Sequence, residues 1–201
     1  MRRTMIVVLI AGMMLLAGCG KENGTESSSG GSAGMSQEEK VAMYNRFTEF
    51  AQAIMKGDMD EVKELAGKEE YLDARGGSGA SPLVSAMSLN KPEIAKLLIE
   101  EGIKLDSWAI SECTNIQDEK KRMEIVRLLI EKGADVNARG SADLTALHKA
   151  AAAGDVDLAR LLLENGADPS LKDKQGKTPL DHAKEHDNQE VIQLLKKHGA
   201  I

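Results

Sequence analysis

Aromatic residues are scarce: one Trp, two Tyr and two Phe amount to 2% of 201 residues, although hydrophobic residues as a whole reach 42%. Leu, Ile, Val and Ala carry that hydrophobicity, a composition that suits thin helical layers better than one large globule. Only two cysteines are present, Cys19 and Cys113, too few for a small secreted fold stapled by bridges. Basic charge is in deficit: the net charge is −6. That average repels nucleic acid, although a local basic patch can survive inside it.

Sequence signatures of catalysis are also missing. No Walker loop, dinucleotide glycine motif, Gly-x-Ser-x-Gly elbow or Cys-x-x-Cys pair occurs. His182 and His186 lie four apart beside Asp181, Glu185 and Asp187, a spacing that could face a divalent metal. No His-Glu-x-x-His pattern or third fixed ligand accompanies them, so no metal and no cofactor is expected, and the chain is expected to be no enzyme.

No uninterrupted apolar run is long enough to span a bilayer comfortably. The run over residues 5–16 follows Arg2 and Arg3 and precedes the small residues Ala17 and Gly18, the layout of an export signal. Its ending, Leu16-Ala17-Gly18-Cys19, resembles a bacterial lipobox. The resemblance implies a signal peptide over residues 1–18 and a lipid-modified Cys19 as the new N-terminus. Several acyl chains, at ~0.8 kcal/mol per buried methylene, would anchor it stably to a membrane. Loss of the leader takes Arg2 and Arg3 with it and leaves 24 basic against 32 acidic residues, a net of −8. Gly20 stands where Asp would favour inner-membrane retention in similar enterobacterial lipoproteins. In a Gram-negative host the expected place is therefore the outer membrane, facing the periplasm.

Residues 19–35 hold the modified cysteine and a Gly/Ser-rich linker without apolar periodicity. Its sixteen residues after Cys19 would reach ~20–24 Å root-mean-square. Met35 ends the linker and supports a second reading, in which internal initiation yields a minor cytosolic form.

Residues 36–201 are organised by a period near 33. Residues 161–168, Leu-Leu-Leu-Glu-Asn-Gly-Ala-Asp, echo residues 128–135, Leu-Leu-Ile-Glu-Lys-Gly-Ala-Asp, and the series runs on to Gly199 and back to Gly102. Gly102, Gly133, Gly166 and Gly199 are each expected to cap a helix in the left-handed conformation. Thr145-Ala146-Leu147-His148, Thr178-Pro179-Leu180-Asp181 and Ser81-Pro82-Leu83-Val84 each open a helix with a cap and a buried stripe.

These segments resemble the ankyrin signature Thr-Pro-Leu-His-x-Ala. The resemblance implies an all-α, ankyrin-repeat solenoid of about five helix-turn-helix repeats with finger loops. The first repeat, about residues 37–75, is divergent and built on Phe47, Phe50, Ala51, Ile54, Val62 and Leu65. His148 would be the structural histidine that bonds neighbouring loop backbone. With Ile201 directly after Gly199-Ala200, little is expected beyond the last helix.

The third repeat departs from the pattern. Eight positions separate Gly102 from Ile110, whereas fourteen separate Gly133 from Leu147, so one finger tip should be missing. Extra residues near 115–120 predict a bulge on the helical side. Trp108, the only tryptophan, falls beside the notch; it either fills the vacated space or contacts a partner. Cys113 occupies a small-residue core position equivalent to Ala150.

Family resemblance places protein binding on finger tips and the concave faces of first helices. The matching positions are Ser78, Ala80, Ser88 and Leu89; Ser141, Ala142, Leu144, Ala152 and Ala153; and Lys174, Gln175, Lys177, Glu185 and His186. A fold of this kind does not fix a function by itself. Small ankyrin-repeat lipoproteins that this chain resembles include immunity proteins, which neutralise toxic effector enzymes, lipases among them, in the cell envelope. The resemblance implies a membrane-tethered inhibitor, monomeric before it meets its protein partner. Its acidic surface would suit a basic target. A general envelope scaffold or stress-protection factor is the alternative.

Overall fold

A computed structural model describes residues 35–76 and 79–200. Cys19, the linker before Met35, Ser78 and Ile201 lie outside the described residues, so the lipidation site and one candidate finger position have no structural account.

Among the described residues the chain runs as five successive helix pairs: α1 (Gln37–Lys56) with α2 (Met59–Ala66), α4 (Pro82–Ser88) with α5 (Pro92–Glu100), α6 (Ala109–Glu112) with α7 (Glu119–Glu131), α8 (Ala146–Ala153) with α9 (Val156–Glu164), and α10 (Pro179–Glu185) with α11 (Gln189–Lys197). A single-turn α3 (Glu69–Leu72) follows α2. First helices pack on first helices along the row, α1 to α4, α4 to α6, α6 to α8 and α8 to α10; second helices α2 and α5, α5 and α7, and α9 and α11 form the other layer. Among the described residues no helix is long and apolar enough to cross a membrane.

The local sequence explains where these helices start and stop. Ser81, Thr145 and Thr178 accept from the backbone amides of Val84, His148 and Asp181, satisfying donors that the first helical turn leaves free. Pro82 and Pro179 sit in the first turn, where a missing amide hydrogen costs nothing. Gly102, Gly133, Gly166 and Gly199 all have φ between 82° and 90°, the left-handed geometry that reverses the chain after a second helix. No neighbouring atom crowds a Cβ built at any of them, so backbone conformation and not space selects glycine there.

The core runs between the two helix layers through Phe50, Ile54, Leu83, Met87, Leu98, Ile110, Ile125, Leu129, Leu147, Leu158, Leu180 and Leu195, each nearly or fully buried. Val62 and Leu65 join it, whereas Phe47 and Ala51 are only half-buried. The first pair differs from the others because α1 is twenty residues long and buries nothing before Phe50.

The third pair is rebuilt more than its spacing alone predicts. Its first helix is one turn, and Cys113–Asn115 then tightens into a 3-10 turn. The extra residues do not form a loose bulge. Ile116 is fully buried as a plug, and the remainder extends α7 to thirteen residues, against nine in α5, α9 and α11. Arg122, one turn into α7, donates to the Ile116 carbonyl at 3.0 Å and pairs with Asp155, the cap of α9, at 2.6 Å. Both side chains are mostly buried, so an ion pair helps tie the fourth pair to the third.

Candidate protein-binding surface

Three finger loops share one register. Gly76, Gly140 and Asp173 each donate a backbone N–H to the carbonyl four residues on, at Ala80, Leu144 and Lys177, closing a tight tip. Gly79, Asp143 and Gly176 occupy the same left-handed tip position, with φ of 80°, 58° and 78°. Ala142 adds a second left-handed residue at 56°, beside Asp143, so the fourth finger holds two non-glycine residues where L-amino acids are disfavoured.

Fingers four and five are stitched together. Lys174 N–H donates to Ala142 O at 3.0 Å, Arg139 to Lys172 O at 2.7 Å, Asn137 Nδ2 to Gly166 O at 3.0 Å, and Asp168 N–H to Asn137 Oδ1 at 2.8 Å. Buried His148 completes the seam. Its Nε2 donates to Lys177 O at 3.1 Å, while Nδ1 accepts from the Thr145 hydroxyl at 2.8 Å and the Thr145 amide at 3.2 Å. One neutral tautomer satisfies both ring nitrogens, and burial lowers the imidazole pKa further from protonation.

His182 is drawn to its own finger, with Nε2 2.8 Å from Asp173 Oδ2. Asp173 also accepts from Gln175 and Lys177 amides, and the His182 bond leads the causes that hold its carboxyl down at about 2. His182 Nε2 is thus engaged, and His186, at the end of α10, is exposed. Among the described residues no group of three or more His, Cys, Asp or Glu side chains is arranged to hold a metal.

The other sequence-selected positions lie on the fingers and at the first helices. Ser88, Leu89, Ser141, Ala142, Ala153, Lys174, Gln175, Glu185 and His186 are exposed, while Ala80, Leu144, Ala152 and Lys177 are half-buried. Lys177 and Glu185 pair at 2.7 Å. Within fingers four and five the exposed cations are Arg139, Lys172 and Lys174, against one exposed acid, Asp135; Asp173 is buried and Asp143 and Asp168 are half-buried. The finger row is therefore locally basic, opposite in sign to the whole chain. The acids at these tips offset little of that charge, because Asp173 is buried as a turn acceptor and Asp143 is half-buried.

Trp108 immediately precedes α6 and is half-buried against the core. Cys113 is fully buried, 3.5 Å from Met87 Sδ, and burial pushes its thiol up, away from a reactive thiolate.

Sequence reasoning missed two polar devices. Ser81 hydrogen-bonds buried Asp106, which also lies 3.8 Å from Arg75 Nε. Lys149 reaches Ser111 O at 2.9 Å and Glu112 at 3.1 Å. Neither has a local signal, since the partners are 25 to 38 positions apart.

An ankyrin-repeat family model, in three copies, matches residues 113–201. Among curated proteins, the chain is similar to the mouse (Mus musculus) "Ankyrin repeat, SAM and basic leucine zipper domain-containing protein 1", with 29% identity over 111 residues, 52% of this chain and 23% of that protein. The proteins of the same name from Carollia perspicillata and Dasypus novemcinctus are each 27% identical over 111 residues, with the same shares covered. The chain thus spans about a quarter of the length of these relatives. Residues 113–201 of this chain are therefore ankyrin repeats.

Proposed function

We propose that this protein is a membrane-anchored binding module and not an enzyme: an inhibitor of the immunity type that occupies and neutralises a toxic, lipase-like effector enzyme in the cell envelope. The observation that carries the reading is the exposed row of finger and first-helix residues, from Ser141 and Ala142 to Lys174, Gln175, Glu185 and His186, on repeats of a protein-binding family. The lipobox-like Leu16-Ala17-Gly18-Cys19 supports a lipid tether at Cys19, and the linker after it lets the repeats search the membrane surface. Tethering raises the inhibitor's local concentration where an enzyme attacking lipids must work. A minor form started at Met35 would supply the same module without the tether.

Capture from native envelope extract on the immobilised protein tests this, beside the Trp108→Ala variant. One stoichiometric enzyme whose lipid hydrolysis falls on binding supports the inhibitor. Several resident proteins with no inhibited activity would move the reading to a general envelope scaffold. Mass spectrometry of the mature chain should find Cys19 N-terminal and acylated; an unprocessed leader would remove the tether.

A further inference from the structure

The seam between fingers four and five shows what each finger asks of the one before it. Finger five is met by finger four through Gly166 O, Asp168 N–H, Lys172 O and Lys174 N–H. One repeat earlier, the equivalent groups on finger four are Gly133 O, Asp135 N–H, Arg139 O and Ser141 N–H. The third finger that should meet them is missing, and among the described residues these four groups have no hydrogen-bond partner. All four residues are exposed. Asp106 stands where Asn137 would reach forward, but it is turned back to Ser81 and Arg75. The base of the gap is formed by Trp108 and Ser111. A Cβ added to Gly140 would lie 2.9 Å from Ser111 Oγ and 3.7 Å from Trp108 Cβ, so finger four sits directly against this floor.

An edge of unpaired backbone donors and acceptors is a template for another extended strand. We propose that the vacant third-finger position is a docking slot for an extended, acidic loop of the protein partner, which takes the place of the missing finger. The loop pairs its backbone with Asp135 N–H, Arg139 O and Ser141 N–H and lies across Trp108. Acidic side chains on it face Arg139, Lys172 and Lys174, the exposed cations of the two fingers beyond the gap, which outnumber the one exposed acid there, Asp135. This inference rests on the protein-binding reading above.

The test uses the full chain in detergent and a defined probe, a disulfide-closed hairpin peptide shaped like finger five with its lysines replaced by glutamates. Because Trp108 is the only tryptophan, its fluorescence reports the slot directly. The expected result is a saturable change in emission at peptide concentrations on the order of 0.1–1 mM, as suits a few backbone bonds, with about tenfold weaker binding for the lysine version. Filling the slot by inserting six finger residues after Asp106 should abolish the change. If that insertion does not fold, Ser141→Pro decides, because it removes one docking amide and should weaken the peptide about fivefold. No saturable change up to about 5 mM, or equal binding by Ser141→Pro, would overturn the slot. An envelope partner that binds the finger-filled chain as tightly as the native one would also overturn it, while leaving the protein-binding reading intact.

Discussion

The junction between the fourth and fifth repeats and the junction between the second and third solve one problem with different chemistry. Both must hold a loop against the next repeat without a strand or a large core. The later junction uses hydrogen bonds to backbone and, among the described residues, no ion pair: neutral His148 and Asn137 and the Arg139 guanidinium each bond the backbone of the next finger. The earlier one has Val84 at the His148 position and uses a buried carboxylate, Asp106, held by Ser81 and Arg75. The hydrogen-bonded seam leaves the fifth finger met by the fourth, whereas the ionic stitch pulls the shortened loop inward and leaves the fourth finger's edge open. A repeat array can thus lose a finger without losing continuity, provided one buried polar group is redirected.

The largest expected effects test whether continuity rests on the core or on these seams. Leu158→Ala, in the fourth pair, and Ile116→Ala, at the plug of the third, should each cost about 2–5 kcal/mol in urea unfolding, because both side chains are fully buried. An Ile116→Ala cost below about 1 kcal/mol would show that the 3-10 turn is an ornament on the third pair and does not anchor it.

Next come the seams themselves. Asp106→Ala strands the Ser81 hydroxyl and the Arg75 guanidinium, and His148→Ala strands the buried Thr145 amide and leaves the Lys177 carbonyl with the Asp173 amide alone; each should cost about 1–3 kcal/mol at pH 7.5. Their pH responses should have opposite signs. His148 titrates at 6.5 when unfolded and lower when folded, owing first to burial. Between those values the unfolded chain holds more protons, so stability falls as pH drops below about 6.5. Asp106 titrates at 3.8 when unfolded and higher when folded, again owing first to burial. There the folded chain holds more protons, so stability rises as pH falls through the window above 3.8. Urea unfolding from pH 7.5 to 4.5 should therefore slope less steeply in His148→Gln and more steeply in Asp106→Asn. The same slope in both variants would mean that other groups govern acid sensitivity.

Much of this architecture was legible in the sequence because its signals are local. A hydroxyl two residues before the first leucine of an apolar stripe sets a helix start, a glycine after Leu-Leu-x-Glu sets an end, and a count from Gly102 to Ile110 exposes a missing finger. Exposure at Ser141, Lys174 and Gln175 followed from the same register. What the spacing did not disclose depends on partners distant in the chain. Asp106 reads as an ordinary loop acid until Ser81 is seen beside it, and Arg122 reads as a surface cation until Asp155 caps the neighbouring helix. The sign of the finger surface was hidden for a related reason, since Asp173 counts as a charge in the composition but is spent inside its own turn. The collapse of α6 to one turn also escaped, because Ala109, Ile110 and Cys113 carry the apolar pattern of a full first helix.

The smallest expected effect isolates the finger tips. Asp143 holds φ of 58° where the fifth finger has Gly176 at 78°, in an identical hydrogen-bonded tip. Left-handed geometry costs an L-residue roughly 1–2 kcal/mol, less for Asp, and glycine returns part of that gain as about 0.5–1 kcal/mol of extra unfolded-state entropy. Asp143→Gly should therefore stabilise the chain by a few tenths to about 1 kcal/mol, while Gly176→Ala should destabilise it by about 1 kcal/mol. The denaturant midpoint should move with an unchanged slope. Because the Ser141 amide is retained, hairpin affinity should change less than about twofold in Asp143→Gly. A larger loss would mean that the strained tip itself holds the docking edge in place, tying the fourth finger's backbone cost to recognition and not to the missing neighbour.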